Sequence, residues 1–364
     1  MPDISHIAAG FAFEGKVDRI DPLGQGFIND TYIVRTQGGS PDYILQRKNR
    51  SIFHDVPAMM DNISRVTAHI RRAVIAAGGD PAREVLTVVP AADGSLCVRD
   101  SAGDCWAACV YIPDTVTYDR ADSIDLARMG GEGIGRFQAQ LSDFNEPLHE
   151  TIKGFHDIRH RFRQWAEVLE TDRVGRCASV AREIAGIEAR KEEMLAFRRL
   201  VDDGVIPVRV THNDTKISNI LFDRSGRVLC VIDLDTVMAA PALNDFGDAI
   251  RSYANTGDED DRDLSRVSLS MPVFRAYTEG YLSQQAAHLN DEELNWLAFS
   301  ARYLTFEQEL RFLMDYIDGD TYYKTAYADH NLVRARAQHR LLESMEEHYD
   351  EMCGIVADIA AGYR

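Results

Sequence analysis

The side chains best suited to chemistry are Asp214, Asn219 and Asp233, all within VRVTHNDTKISNILFDRSGRVLCVIDLDTV, residues 208 to 237. Asp214 stands in a polar loop directly after the apolar run 205–210, and Asn219 follows it by five residues. Asn219 opens a strand-like run that turns back through Arg-Ser-Gly toward Asp233, so three oxygen-bearing side chains can converge. Phosphoryl transfer asks for such a set: a carboxylate to orient the attacking hydroxyl, and hard oxygen ligands for Mg²⁺ bridging nucleotide phosphates. A capped turn and a hairpin with solvated acids would explain any one of these residues. The joint pattern in a strand-loop-strand context favours the phosphoryl-transfer site.

The elements that must position them change character along the chain. Residues 27–36 and 43–48 are rich in aromatic and β-branched residues and flank Gly38-Gly39-Ser40-Pro41, which predicts a hairpin. Met60, Ile63, Val66 and Ile70 recur at helical spacing between Pro57 and Ala77, and Gly78-Gly79 ends that helix. Strands are expected at Glu84–Val89 and Asp104–Ile112, with Ser95–Arg99 as a short arm. From about Asp122 the period becomes 3.6, predicting helices near 123–142, 155–170, 177–202, 243–255 and 262–288, and two long ones beyond 291. The fold class is therefore α+β, with a small β-rich lobe over 1–112, a hinge at Tyr111–Asp114, and a larger helical lobe over 113–364.

Composition narrows the class. Hydrophobic residues at 45% and charged residues at 27% are ordinary globular proportions. No charge-free stretch reaches the roughly 18 apolar residues of a membrane span. The first residues have no basic start and no long apolar core, so the cytoplasm is the default expectation. Forty basic against 58 acidic residues, a net charge of -18, oppose unassisted binding to nucleic acid or anionic lipid. The six cysteines form no CxxC or Cys/His cluster at zinc spacing, which predicts reduced thiols. No G-x-S-x-G elbow or C/S-x-P-x-R motif occurs, so hydrolase and sulfatase chemistry find no support.

His212-Asn213-Asp214, Asn219 and Ile232-Asp233 resemble the signature of the aminoglycoside-phosphotransferase and choline-kinase branch of the protein-kinase-like fold: H-x-D, four residues, N, then I-D on the next strand. The resemblance implies a two-lobe kinase using ATP and Mg²⁺. Asp214 would be the catalytic carboxylate, Asn219 and Asp233 would hold magnesium, and His212 would pack behind the loop. Asp235, two residues beyond Asp233, either supports the metal ligands or is only a strand-end charge. Asn244-Asp245-Phe246-Gly247-Asp248 contains the letters DFG but follows the I-D strand. There Asp245 is expected to cap a helix, and Asp248 matches the family acid that supports the catalytic loop. Gly24 and Gly26, in LGQGFIND with Asn29, precede the hairpin where the family carries its nucleotide loop, and glycine lets backbone amides approach phosphates. Tyr111, in ACVYIPD, lies where the hinge would lend backbone groups to adenine. The chain departs from the pattern at the phosphate-binding lysine. Gln46 occupies that position, with Asn62 or Asp61 in place of the partnering glutamate, so either a neutral amide pair or a cation from Arg47 or Lys48 must serve.

Narrower phrases, GxINxTY, YILQR, HNDTK, VIDLDTVM and RFLxDY, look like the N-acetylhexosamine 1-kinase family over roughly residues 12 to 360. That family phosphorylates the anomeric hydroxyl of GlcNAc and GalNAc. By position, Arg311 and Tyr322 would contact the sugar with Asp214, and Phe27 and Tyr253 would line the acetamido side, Phe27 standing where the family carries histidine. Arg311 and Tyr322 are about three helical turns apart, so they reach one ligand only if the helix ends or bends near Gly319. An aminoglycoside, choline or homoserine kinase is the alternative reading. A non-catalytic nucleotide-binding module is the rival motivated by Gln46.

Overall fold

The computed structural model describes residues 4–24 and 28–364; Gly26 and Phe27 lie outside the described residues. A short helix α1 (Ile4–Ala8) leads into strands β1 (Val17–Pro22), β2 (Asp30–Thr36) and β3 (Tyr43–Arg47), then helix α2 (Val56–Ala76). Strands β4 (Val88–Val89), β5 (Val98–Arg99), β6 (Cys105–Val110) and β7 (Thr115–Val116) follow. Helices α3 (Ile124–Ala139), α4 (Ile158–Thr171) and α5 (Ala181–Asp202) come next, then strands β8 (Val208–Thr211), β9 (Ile220–Asp223), β10 (Val228–Val231) and β11 (Met238–Pro241). Helices α6 (Ala242–Tyr253), α7 (Met271–Gln285), α8 (Asp291–Ile317), α9 (His330–Glu347) and α10 (Tyr349–Ala361) complete the order. This is the α+β, two-lobe kinase-like architecture, with an antiparallel sheet in the small lobe and helices in the large one.

The chain forms two compact units. The first comprises Met1–Thr117, Gln140–Lys153 and Asn219–Ala239. Its main sheet runs β1-β2-β3-β6-β4, with β5 on β6, and the pairs are antiparallel. Period-2 alternation sends Val34, Tyr43, Leu45, Trp106 and Ala108 into one core with Ile7 and Phe11. Asp55 starts α2 by accepting from the Ala58 amide at 3.0 Å, with proline in the first turn, and Met60, Ile63, Val66 and Ile70 are buried along its inner stripe. The β9–β10 hairpin adds β7 at its edge and buries Leu221, Leu229 and Cys230 against Ile112.

The second unit comprises Tyr118–Ala139, Gly154–Ser218 and Ala240–Arg364. Helix α8 is buried nearly all round because α4, α6, α9 and α10 pack about it, and the Asn290/Glu293 capping box fixes its start. Helices α3 and α7 meet along a glycine seam. A Cβ on Gly131 would lie 2.2 Å from the Tyr277 carbonyl oxygen, and one on Gly280 would lie 1.9 Å from that of Arg128. Gly131→Ala gains helix propensity of about 1 kcal/mol but must push two backbones apart. We expect a net loss of about 2 kcal/mol in chemical denaturation. Gly354 in α10 has nothing within 4 Å of its Cβ position, so Gly354→Ala should stabilise slightly. Equal effects of the two substitutions would refute the seam.

Three expectations need correction. The Glu84–Val89 strand is reduced to Val88–Val89 because the segment from Asp80 closes on itself: the Ala82 amide donates to the Asp80 side chain and the Glu84 amide to its carbonyl. The helix expected over 262–288 is confined to Met271–Gln285, with proline in its first turn. The two long helices expected beyond 291 are three. A break at His348, whose Nδ1 lies 2.8 Å from the Ser344 carbonyl oxygen, separates α9 from α10.

Candidate active site

In the helical unit, β8 delivers the chain into the loop that carries Asp214. Asp245 and Asp248 are three residues apart on α6 and therefore share a face. Asp245 accepts from the His212 amide at 2.9 Å, the Asn213 amide at 2.7 Å and the Gln138 side chain at 2.8 Å. Asp248 accepts from the Thr215 amide at 2.9 Å, and Thr215 Oγ1 donates to the Asp245 carbonyl at 2.8 Å. The loop is thus sewn to α6 on both sides of Asp214, with Asn213 in the left-handed region at φ 63°. Asp245 does not cap α6. That helix begins at Ala242 after Pro241, and the Asp245 side chain is spent on the loop amides.

The two acids differ electrostatically. Burial raises the Asp245 carboxyl above its ordinary range despite the opposing His212 ring and loop amides. Burial also opposes ionisation of Asp248, but the Arg251 guanidinium, with Nη2 3.0 Å away, outweighs it and the carboxyl is lowered. The Asp214 amide donates to His212 Nδ1 at 3.2 Å, and Lys216 Nζ stands 2.8 Å from Asp214 Oδ1. His212 is buried with Phe137 edge-on to its ring.

Helix α8 ends at Ile317, and the chain reverses through Gly319 at φ 93° and Asp320 at φ 60°. Asp315 organises this reversal by accepting from the amides of Thr321, Tyr322 and Tyr323 at 2.8 to 2.9 Å. The reversal brings Tyr322 close to Arg311, whose guanidinium lies over the rings of Phe155 and Tyr323. Tyr253 closes α6. It is buried against Tyr277 with ring centroids 5.0 Å apart, and it occupies the space that a Cβ on Gly130 would need. Burial raises its phenol far above the ordinary range.

In the β-rich unit, Asn219 ends a short 3₁₀ turn and its carbonyl accepts from the Ile232 amide at 2.8 Å, which sets Asp233 next in register. Asp233 is left-handed at φ 59°, and a 3₁₀ turn over Leu234–Thr236 follows. The strand therefore does not continue to Asp235, and alternation does not govern where Asp235 points. It is buried and meets Lys48: Nζ lies 2.7 Å from Oδ1 and 2.9 Å from Oδ2. Asn29 donates to the same carboxylate at 2.7 Å, and Lys48 also donates to Gln46 Oε1 at 2.7 Å. Lys48 thus stands on Gln46's side of the chain, as residues two apart do. Arg47 points away to Asp30 and Asp104. Asn62 forms no amide pair with Gln46. It is satisfied by backbone groups of His149 and Val237, while Gln46 Nε2 donates to Thr31 Oγ1. Gly24 is exposed at φ 66°, and the Tyr111 amide donates to the Asp42 carbonyl with Arg35 over its ring.

The donor chemistry fits a magnesium ion. Asn219 and Asp233 offer an amide and a carboxylate oxygen, and Mg²⁺ takes one or two protein oxygens and completes its shell from water and phosphate. Among the described residues no group of three or more His, Cys, Asp or Glu side chains is arranged to hold a metal ion. None of the described helices is long and apolar enough to cross a membrane.

Residues 19–282 match the phosphotransferase enzyme family APH, well over half of the chain. The chain belongs to this family. Among solved structures it is similar to a microcompartment-associated aminopropanol kinase at 18% identity and a TM-score of 0.62, covering 96% of this chain and 97% of that one. An aminoglycoside phosphotransferase from Alicyclobacillus acidocaldarius matches at 12% identity and 0.58, covering 95% and 96%. Spectinomycin phosphotransferase in complex with ADP and spectinomycin matches at 13% and 0.53, covering 95% and 94%. At such identities these structures show the shared fold. The chain is accordingly a phosphotransferase of the APH family.

Local sequence signals did not identify the roles of Lys48, Asp245 and Asp315. Lys48 was one of two candidate cations, and its partner lies 187 residues away and gives no periodic signal. Asp245 resembled a helix cap because it opens a helical run.

Proposed function

We propose that this APH-family kinase transfers the γ-phosphate of ATP to the anomeric hydroxyl of an N-acetylhexosamine, GlcNAc or GalNAc, in a Mg²⁺-dependent reaction. The observation that supports the reading is the reversal after Ile317, which brings Tyr322 near Arg311, the two residues that by position would contact the sugar. Asp214 hydrogen-bonds the O1 hydroxyl and orients it, while Arg311 and Tyr322 hold the other ring hydroxyls. The backbone around Gly24, with Asn29, Gln46, Lys48 and the Tyr111 segment, serves the nucleotide. Asn219 and Asp233 hold the metal, which when bound offsets charge on the phosphate oxygens. Tyr253, enclosed by Tyr277 and Gly130, acts as packing within the helical unit, and the acetamido contact falls to other groups.

Turnover assayed against GlcNAc, GalNAc, galactose, kanamycin, choline, aminopropanol and homoserine tests the reading. The 2-acetamido hexoses should be the best acceptors. Methylation at O1 should eliminate turnover and methylation at O6 should not. Phosphorylation of the methyl glycoside, or a product whose phosphorus couples to C6 protons, refutes the anomeric assignment. An amine acceptor as the best substrate moves the chain to the amino-alcohol or aminoglycoside kinases. Asp233→Asn removes a hard anionic ligand, so the Mg²⁺ concentration for half-maximal rate should rise at least roughly tenfold. An unchanged metal titration moves the metal site elsewhere.

A further inference from the structure

Phe155 and His156 lie in a loop before α4 that no motif singled out, yet each touches a different part of the helical unit's chemistry. Phe155 stacks under Arg311, with the guanidinium carbon 5.8 Å from the ring centroid. His156 is buried between the catalytic loop and α8. Its Nδ1 is 2.7 Å from Glu307 Oε2, and its Nε2 is 3.4 Å from the carbonyl oxygen of Asn213, the residue before Asp214. Glu307 is 1% exposed and also receives Arg161 Nε at 3.2 Å, and it stands one helical turn from Arg311 on α8. The His156 carbonyl accepts from the buried Tyr303 hydroxyl at 3.2 Å, and His156 is held in the left-handed region at φ 55°. A non-glycine residue kept at positive φ and fastened through its carbonyl and both ring nitrogens is over-determined by its surroundings.

We propose that His156 and Glu307 are positioning residues: they fasten the Asn213 carbonyl, and hence Asp214, to the same stretch of α8 that carries Arg311. The proposal rests on the kinase reading for Arg311 and Asp214. Both ring nitrogens of His156 face oxygen partners, Glu307 Oε2 and the Asn213 carbonyl oxygen. Arg161 reaches the other oxygen of the same Glu307 carboxylate, with Nε 3.2 Å from Oε1. Burial opposes its ionisation, but His156 and Arg161 hold its carboxyl well below the ordinary range. Acceptor contact at Arg311 is thereby linked through α8 and the 155–156 segment to the placement of the attacking hydroxyl's partner.

The test uses the full chain as His156→Gln and Glu307→Gln, each read by amide hydrogen exchange without any ligand and by steady-state kinetics. A glutamine at 156 cannot span both acceptors. The amides of His212, Asn213 and Thr215 should exchange at least roughly fivefold faster in both variants, while those of α3 and α7 keep the wild-type rate. With the best acceptor, kcat should fall about tenfold or more while the KM for ATP stays within about twofold. Phe155→Leu should instead raise the acceptor KM and leave loop exchange unchanged. Unchanged loop exchange in both glutamine variants overturns the proposal, as does acceleration spread evenly over the helical unit. Failure of the sugar assignment would show separately, as absence of a sugar 1-phosphate from the wild-type protein.

Discussion

Asp214→Asn is expected to abolish phosphoryl transfer, with kcat reduced by about 10³-fold or more and folding intact. The substitution keeps the volume and one oxygen but removes the anionic acceptor that orients the hydroxyl. The loop's backbone does not depend on this carboxylate, because its amides are held by Asp245 and Asp248. Lys216, 2.8 Å from Asp214 Oδ1, loses a partner but is half exposed, so the stability cost should be small. ADP affinity measured by calorimetry should be near that of the wild type. Turnover within tenfold of wild type would remove Asp214 from the chemistry.

Lys48→Met should be among the most destabilising conservative substitutions in the chain. The ammonium's three protons go to both oxygens of Asp235 and to Gln46, with only 3% of the side chain exposed. Methionine preserves length and leaves a buried carboxylate with Asn29 as its remaining donor among these partners. Breaking one side of a buried pair costs about 3–5 kcal/mol, chiefly as the penalty on the stranded charge. The double variant Lys48→Met/Asp235→Asn should therefore recover most of that loss, since neither charge is then stranded. Urea denaturation of the three proteins measures this directly. A single variant as stable as wild type, or a double variant worse than the sum of its parts, would show that the pair does not hold this corner together. The same proteins address the phosphate grip. If Lys48 supplies the cation that Gln46 cannot, ADP affinity falls more in Lys48→Met than in Gln46→Ala or Arg47→Ala, the last because Arg47 is turned to Asp30 and Asp104.

The elements were legible wherever one face had to be buried. Met60, Ile63, Val66 and Ile70 marked α2, and the Gly38-Gly39 turn marked the β2–β3 hairpin, because 3.6-residue and 2-residue periods are local properties of a half-buried chain. Helix α8 was legible as a helix but not as to its length. It is buried nearly all round, with Glu293, Arg302, Glu307, Glu309 and Asp315 inside alongside the apolar residues, so polarity along it did not mark an exposed face. Elements stabilised by short-range hydrogen bonds rather than by a pattern, such as the turns that Asp80 closes and the break at His348, were misread as strand and helix.

The sequence by itself determined the α+β order of elements and the spacing of Asp214, Asn219 and Asp233. Both reside in local chemistry: periodic burial for the elements, and a short strand-loop-strand for the three side chains. Only the tertiary structure decided which charges meet. Lys48 with Asp235, His156 with Glu307 and the His212 amide with Asp245 are separated by 187, 151 and 33 residues. Nothing local encodes such a pairing. A buried charge takes whichever opposite charge or amide the packing brings within about 3 Å, and that choice is made by the fold as a whole.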